Sequence, residues 1–272
     1  QCYDGPLILY YKGENNFNAD KIISIVGTRT ASTEGKIFCD KMIKQLAQFN
    51  TIIVSGLAYG IDICAHKAAL KYGLPTWAVF AHGHDIIYPS SHTNVANEIL
   101  NSGALLSDYI SKTKPERQNF PSRNRIIAGL SDATIVIESA NRGGSLITAN
   151  IANSYNREVF AMPGKPKDEK SAGCNYLIKT QRAVLLESID DIIRELNWDA
   201  KTKQNNVRQK LLIELSNDER RLLNILSDEV VHIDSIISTI AWSSSKVAQM
   251  LLQLEFKGVI MVLPGKMYKK VE

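Results

Sequence analysis

Two short stretches of this 272-residue chain bring together groups that proteins use to hold phosphate. Phe120-Pro-Ser-Arg-Asn-Arg125 sets Arg123, Asn124 and Arg125 beside an aromatic ring, and Gly143-Gly-Ser-Leu-Ile-Thr148 is a glycine turn able to present bare backbone N–H groups. Guanidinium charges and oriented amides grip phosphate oxygens, while a neighbouring ring can stack on a base. Glycine suits such a turn because the backbone must come close to the oxygens, where a Cβ would clash. Gly143 and Gly144 meet that need. Ser145 then falls near the start of a helix, where unpaired N–H groups and the dipole favour an anion, with Thr148 one turn on.

The elements that must position these groups are strand-turn-helix units. Residues 133–138 read as a buried parallel strand and 146–155 as the helix behind the glycine turn. A second unit runs from the strand 22–26 through Gly27, Thr28, Arg29 and Ser32 into a helix over 33–48. A third runs from the strand 51–56, ending in Ser55 and Gly56, past Tyr59 and Gly60 into a helix bearing Asp62. Parallel strands point one way, so all three turns lie at one edge of one sheet. Any one turn could be only a turn with an N-cap. Arg29, Arg123, Arg125 and Arg142 in or beside them, with Arg117 and Lys165 as further cations, favour phosphate. Neither GxGxxG nor GxxxxGKS occurs, so a dinucleotide cofactor and a P-loop nucleotidase lose their usual support, and no cofactor is expected. The fold class expected is α/β: an extended Rossmann-like, mostly parallel sheet with helices on both faces, plus a small C-terminal domain.

Seven signatures occur in order over roughly residues 5–195: Gly27-Thr-Arg-x-x-Ser32, Ser55-Gly-Leu-Ala-x-Gly-Ile-Asp62 with Ala65-His66, Tyr88-Pro89, Phe120-Pro-x-Arg-Asn-Arg125, Gly144-Ser-Leu-Ile-Thr148, Phe160-Ala-x-Pro-Gly164 and Gly173-Cys-Asn175. Together they resemble the DNA-processing protein A family, DprA, also called Smf. The resemblance implies a Rossmann-like domain that binds single-stranded DNA, forms a homodimer, and helps load a RecA-type recombinase in natural transformation, without catalysis. Tyr59 stands where many relatives carry a basic residue, so ring stacking replaces a phosphate contact there or the contact is missing. Gly143 stands where relatives often have serine, which keeps the amide and loses a hydroxyl. Relatives often carry a small helical domain ahead of this point. The chain opens without methionine, and such a domain would be absent from it.

Composition bounds the rest. The net charge of +4 divides into +1 before residue 201 and +3 from there on, so a nucleic-acid site in the larger part must come from local clustering. Cys2, Cys39, Cys64 and Cys174 show no CxxC spacing, which suits reduced thiols in a cytoplasm. There is no apolar run of about 20 residues and no leader pattern, so neither a membrane span nor a signal peptide is expected. His82-Gly83-His84-Asp85 lacks the cysteine partners and spacing of a usual metal site, and no metal is expected. Four residues separate Asp62 from His66, which predicts a hydrogen bond between them on one helical face.

The domain boundaries expected are 1–197 for the DNA-binding domain, 198–210 for a polar linker and 211–272 for a winged helix. Helices are predicted over 218–226, 232–240 and 243–256, the last capped by Ser243 or Ser244, followed by a hairpin turning at Pro264 and Gly265. The third helix carries few basic residues, which favours a protein contact or weak DNA role over reading of duplex sequence; Lys266, Lys269 and Lys270 could still touch phosphate. Two alternatives stay open. One is a nucleoside-monophosphate phosphoribohydrolase of the lysine-decarboxylase-like group, though its Pro-Gly-Gly-x-Gly-Thr turn and catalytic glutamate are not matched by Arg142-Gly-Gly-Ser-Leu-Ile-Thr148. The other is a structural partner that binds no nucleic acid, which the arginine cluster disfavours.

Overall fold

The computed structural model describes residues 2–14, 17, 19–198, 216–226, 231–240, 242–257, 259–263 and 265–270. The chain divides into two compact units, 1–201 and 202–272.

In the first unit the elements follow in the order β1 (Tyr10–Gly13), β2 (Ile22–Gly27), α1 (Thr33–Leu46), β3 (Ile52–Ser55), α2 (Ile61–Lys71), β4 (Thr76–Val79), α3 (Thr93–Ile99), β5 (Ala104–Ser107), α4 (Asn119–Leu130), β6 (Ala133–Ile137), α5 (Gly144–Ser154), β7 (Glu158–Ala161), α6 (Ala172–Lys179), β8 (Val184–Leu185) and α7 (Ile189–Glu195). The strands form one sheet in the order β1-β5-β4-β3-β2-β6-β7-β8, parallel except for β1 against β5. The central strands read as apolar runs because helices cover both faces. Alternation then divides their side chains. Ile23, Ile25, Ile135 and Ile137 face the layer of α1, α2 and α7, whereas Ile22, Val26 and Val136 face α4, α5 and α6. Where alternation puts hydroxyls inside, they pair: Ser24 Oγ donates to Thr134 Oγ1 at 2.7 Å.

Strand order decides where a ligand can enter. From β2 the chain steps outward through β3 and β4 to β5, then α4 carries it back to β6 on the other side of β2. The carboxyl ends of β2 and β6 therefore lie side by side, Gly27 opposite Ile137, with loops that leave in opposite directions. That is the switch point of a doubly wound sheet, the place where such folds open a crevice. Gly27 is required there, since a Cβ would collide with the Ile137 carbonyl and lie 2.6 Å from Ile61 Cγ1.

The polar linker expected over 198–210 lies outside the described residues except at its first position, and Trp198 is core. It is buried, its ring 5.7 Å from that of Phe49, with the Lys21 ammonium 5.0 Å above it. Its polar neighbours in sequence concealed that.

The second unit holds α8 (Asn217–Ile225), β9 (Val231–His232), α9 (Ile233–Ile240), α10 (Ser244–Phe256), β10 (Ile260–Leu263) and β11 (Met267–Lys270). Three helices and a hairpin make the winged helix read from the sequence, and Ser243 caps α10 by accepting from the Lys246 amide. The short β9 joins the hairpin through β11, an addition that two residues of sequence could not announce. Both lysines of the α10 region are engaged: Lys246 with Asp218 at 2.7 Å, and Lys257 with Glu219 at 2.8 Å.

Candidate nucleic-acid interface

A cavity of about 690 Å³ opens at the switch point. The β2–α1 turn supplies Gly27, Thr28 and Arg29, and the loop into α2 supplies Ala58 and Asp62. Arg117 precedes α4, whose first turns supply Phe120, Arg123 and Asn124; the β6–α5 turn supplies Gly143, Gly144 and Ser145, with Thr148 behind them. Gly143 is the N-cap of α5, so the unpaired amides of that helix start face this space.

The cations differ in their freedom. Arg29 and Arg117 are exposed, and among the described residues neither has an ion-pair partner. The Arg29 guanidinium lies 5.6 Å from the centre of the Phe120 ring, and the Tyr88 ring lies 6.0 Å away from that of Phe120. A cation against a half-buried ring makes a platform suited to a phosphate and its base. Arg123 is buried. Its Nη1 donates to Gly56 O at 2.9 Å and to Val79 O, and its charge faces Asp62 across Gly56, where a Cβ would stand 2.6 Å from the guanidinium and 2.7 Å from the carboxylate. Burial lowers the Arg123 pKa to about 10 despite Asp62, and raises that of Asp62 despite Arg123. Arg123 thus ties α4 to the ends of β3 and β4.

Six residues singled out from the sequence lie elsewhere. Ser32 caps α1, accepting from Gly35 N at 3.0 Å and donating to the Glu138 carboxylate. Ser55 donates to Ile25 O at 2.6 Å, and Gly56 lies beneath Arg123. Tyr59 packs on the His92 ring at 5.0 Å with half of it exposed. Arg125 turns away, pairing with Asp108 at 2.7 Å and donating to Asp4 O, because two residues along α4 carry it to another face than Arg123. Lys165 is exposed in the loop after β7. The bond expected between Asp62 and His66 is also absent. His66 Nδ1 bonds Thr76 Oγ1 at 2.7 Å, and that hydroxyl donates to Ile53 O, so His66 is the neutral Nδ1–H form with Nε2 buried and unpartnered. Burial, then Arg123 and His92, hold its pKa at about 3.

Two further residues shape the site. Glu138, at φ 54° beyond β6, receives the Thr28 amide on its carbonyl and the Ser32 amide on its carboxylate, locking the β2–α1 turn to β6. A positive φ at a non-glycine residue gives no sequence signal. Tyr88 lines the cavity, and its Tyr-Pro signature was visible without a role.

The model of the family described as DNA recombination-mediator protein A matches residues 1–197, and that of the DprA winged helix domain matches 208–266. The chain belongs to the DNA recombination-mediator protein A family. Protein Smf of Synechocystis is 34% identical to it, over 97% of this chain and 75% of the relative. DNA processing protein DprA of Streptococcus pneumoniae is 40% identical, over 73% of this chain and 70% of the relative. The structure of DprA from that species superposes with a TM-score of 0.68 at 41% identity, covering 71% of this chain and 68% of that one. DNA processing protein A from Helicobacter pylori, described for its single-stranded DNA binding mode, superposes with a TM-score of 0.66 at 30% identity, covering 72% and 89%. The chain is thus a DNA-processing protein of this family and not an enzyme, and the phosphoribohydrolase reading is not favoured. Among the described residues no helix is long and apolar enough to cross a membrane.

Proposed function

We propose that the cavity between β2 and β6 holds the backbone of single-stranded DNA, with phosphates on Arg29, Arg117 and the start of α5, and a base on Phe120. The observation that carries this reading is that Arg29, against the Phe120 ring, and Arg117 line one cavity without ion-pair partners among the described residues, and that the same cavity receives a helix N-terminus. The single-stranded DNA binding mode described for the Helicobacter pylori relative supports it. On the same reading the chain is a cytoplasmic homodimer that protects incoming DNA and helps load a RecA-type recombinase in natural transformation.

Titration of oligo-dT against salt tests the site. Each phosphate neutralised on a single strand contributes about −0.7 to the log–log slope, so two contacts give about −1.4. Removing Arg29 and Arg117 together flattens the slope. Salt-independent binding, or a double variant that binds as the parent does, overturns the assignment. Recombinase loading is checked by filament assembly on DNA precoated with a single-strand-binding protein, and dimerisation by sedimentation.

A further inference from the structure

Of the two aromatic rings on the cavity, only Phe120 has a role in the reading above. Tyr88 sits beside it, the planes inclined by 53°, and remains 46% exposed. Arg29 lies against the Phe120 ring, which is half-buried; most of the ring surface still open to a ligand belongs to Tyr88. The segment bearing it is fixed in place. The His92 amide donates to Pro89 O at 3.0 Å, His92 Nδ1 bonds Leu57 O at 2.8 Å, and the His92 ring packs against Tyr59. A ring on so anchored a segment loses little conformational freedom when something stacks on it.

We propose that Tyr88 is a second base-stacking subsite, taking the nucleobase adjacent to the one on Phe120, so that the cavity engages two consecutive nucleotides of one strand. The inference rests on the single-stranded DNA reading of the cavity. Stacking on a ring is indifferent to base identity because every base has a π face, and a duplex, whose bases are already paired and stacked, cannot supply one. The subsite therefore adds single-strand preference without sequence preference.

The test measures binding of oligo-dT, and of an equally long oligomer with abasic sites, to the parent chain and to Tyr88→Leu, Tyr88→Phe and Tyr88→Trp. Leucine keeps apolar bulk and removes the π face, so a folding defect is not the expected result. Tyr88→Leu should weaken oligo-dT binding about 5- to 150-fold, the range of one base–ring stack, while leaving abasic affinity and the salt slope unchanged. The Phe and Trp variants should bind oligo-dT as the parent does. Undiminished oligo-dT binding by Tyr88→Leu overturns the subsite, as does an equal loss on both oligomers, which would make the ring structural. If the parent binds neither oligomer, the cavity reading itself fails, a result distinct from either.

Discussion

Arg123 and Arg125 show how little residue type says about role. Both were legible as phosphate ligands, yet one is buried against main-chain carbonyls and the other ties Asp108 and the Asp4 carbonyl, while Arg29 and Arg117 have no ion-pair partner among the described residues. Burial depends on which face of α4 a position occupies, and a two-residue spacing cannot reveal that without the packing. Arg123→Ala strands two carbonyls and removes the charge facing the buried Asp62, which keeps only main-chain donors such as the Ala58 amide and the more distant Arg29, so denaturant unfolding should show a loss of about 3–5 kcal/mol. Arg125→Ala removes charge-assisted bonds at a less buried position and should cost about 1.5–3 kcal/mol. His66 gives a pH dependence with a defined sign. Its folded pKa, about 3, lies below the unfolded value, so the unfolded chain binds the extra proton between them and stability falls as pH drops through that window. The slope attributable to it is about 1.4 kcal/mol per pH unit, and His66→Gln should remove that share from a stability-against-pH curve between pH 6.5 and 4.

At the scale of elements the sequence was more readable. Apolar runs, glycine turns and N-cap serines marked β2, β3, β6, α1 and α5 because local chemistry decides them. What it did not mark was the contact between elements, such as the Glu138 bridge that fastens the β2–α1 turn. Two glycines separate the structural and ligand-facing demands on these turns. A Cβ at Gly27 meets a carbonyl and Ile61, whereas one at Gly144 meets nothing within 4 Å. Gly27→Ala should therefore destabilise the fold by about 1–3 kcal/mol, as overpacking does. Gly144→Ala should leave thermal stability within about 0.5 kcal/mol and lower oligo-dT affinity, because its Cβ enters the space a phosphate would occupy. Unchanged affinity in that variant would remove α5 from the binding surface.

For the whole molecule, the polar composition of 198–210 pointed to a division into two units, and Trp198 at its start is buried against the core of the first. A chain ending at 200 retains Trp198 and should unfold cooperatively with most of the oligo-dT affinity intact, since every cavity residue precedes that point. A chain ending at 197 should lose about 3 kcal/mol or more, as should Trp198→Ala, because the Phe49 face of the core is left open. The pairing of β2 with β6 has a consequence for the order in which the protein is made. Ile22 and Asp132, 110 residues apart, hydrogen-bond at the foot of the strand pair whose upper ends frame the cavity. Closing so long a loop is a slow, non-local step of folding. A nascent chain that has emerged only through β5 lacks α4, β6 and α5, and with them most of the cavity wall. On the proposed function, affinity for a strand is withheld until synthesis has passed α5 and the sheet has closed, so an incomplete chain would not sequester DNA.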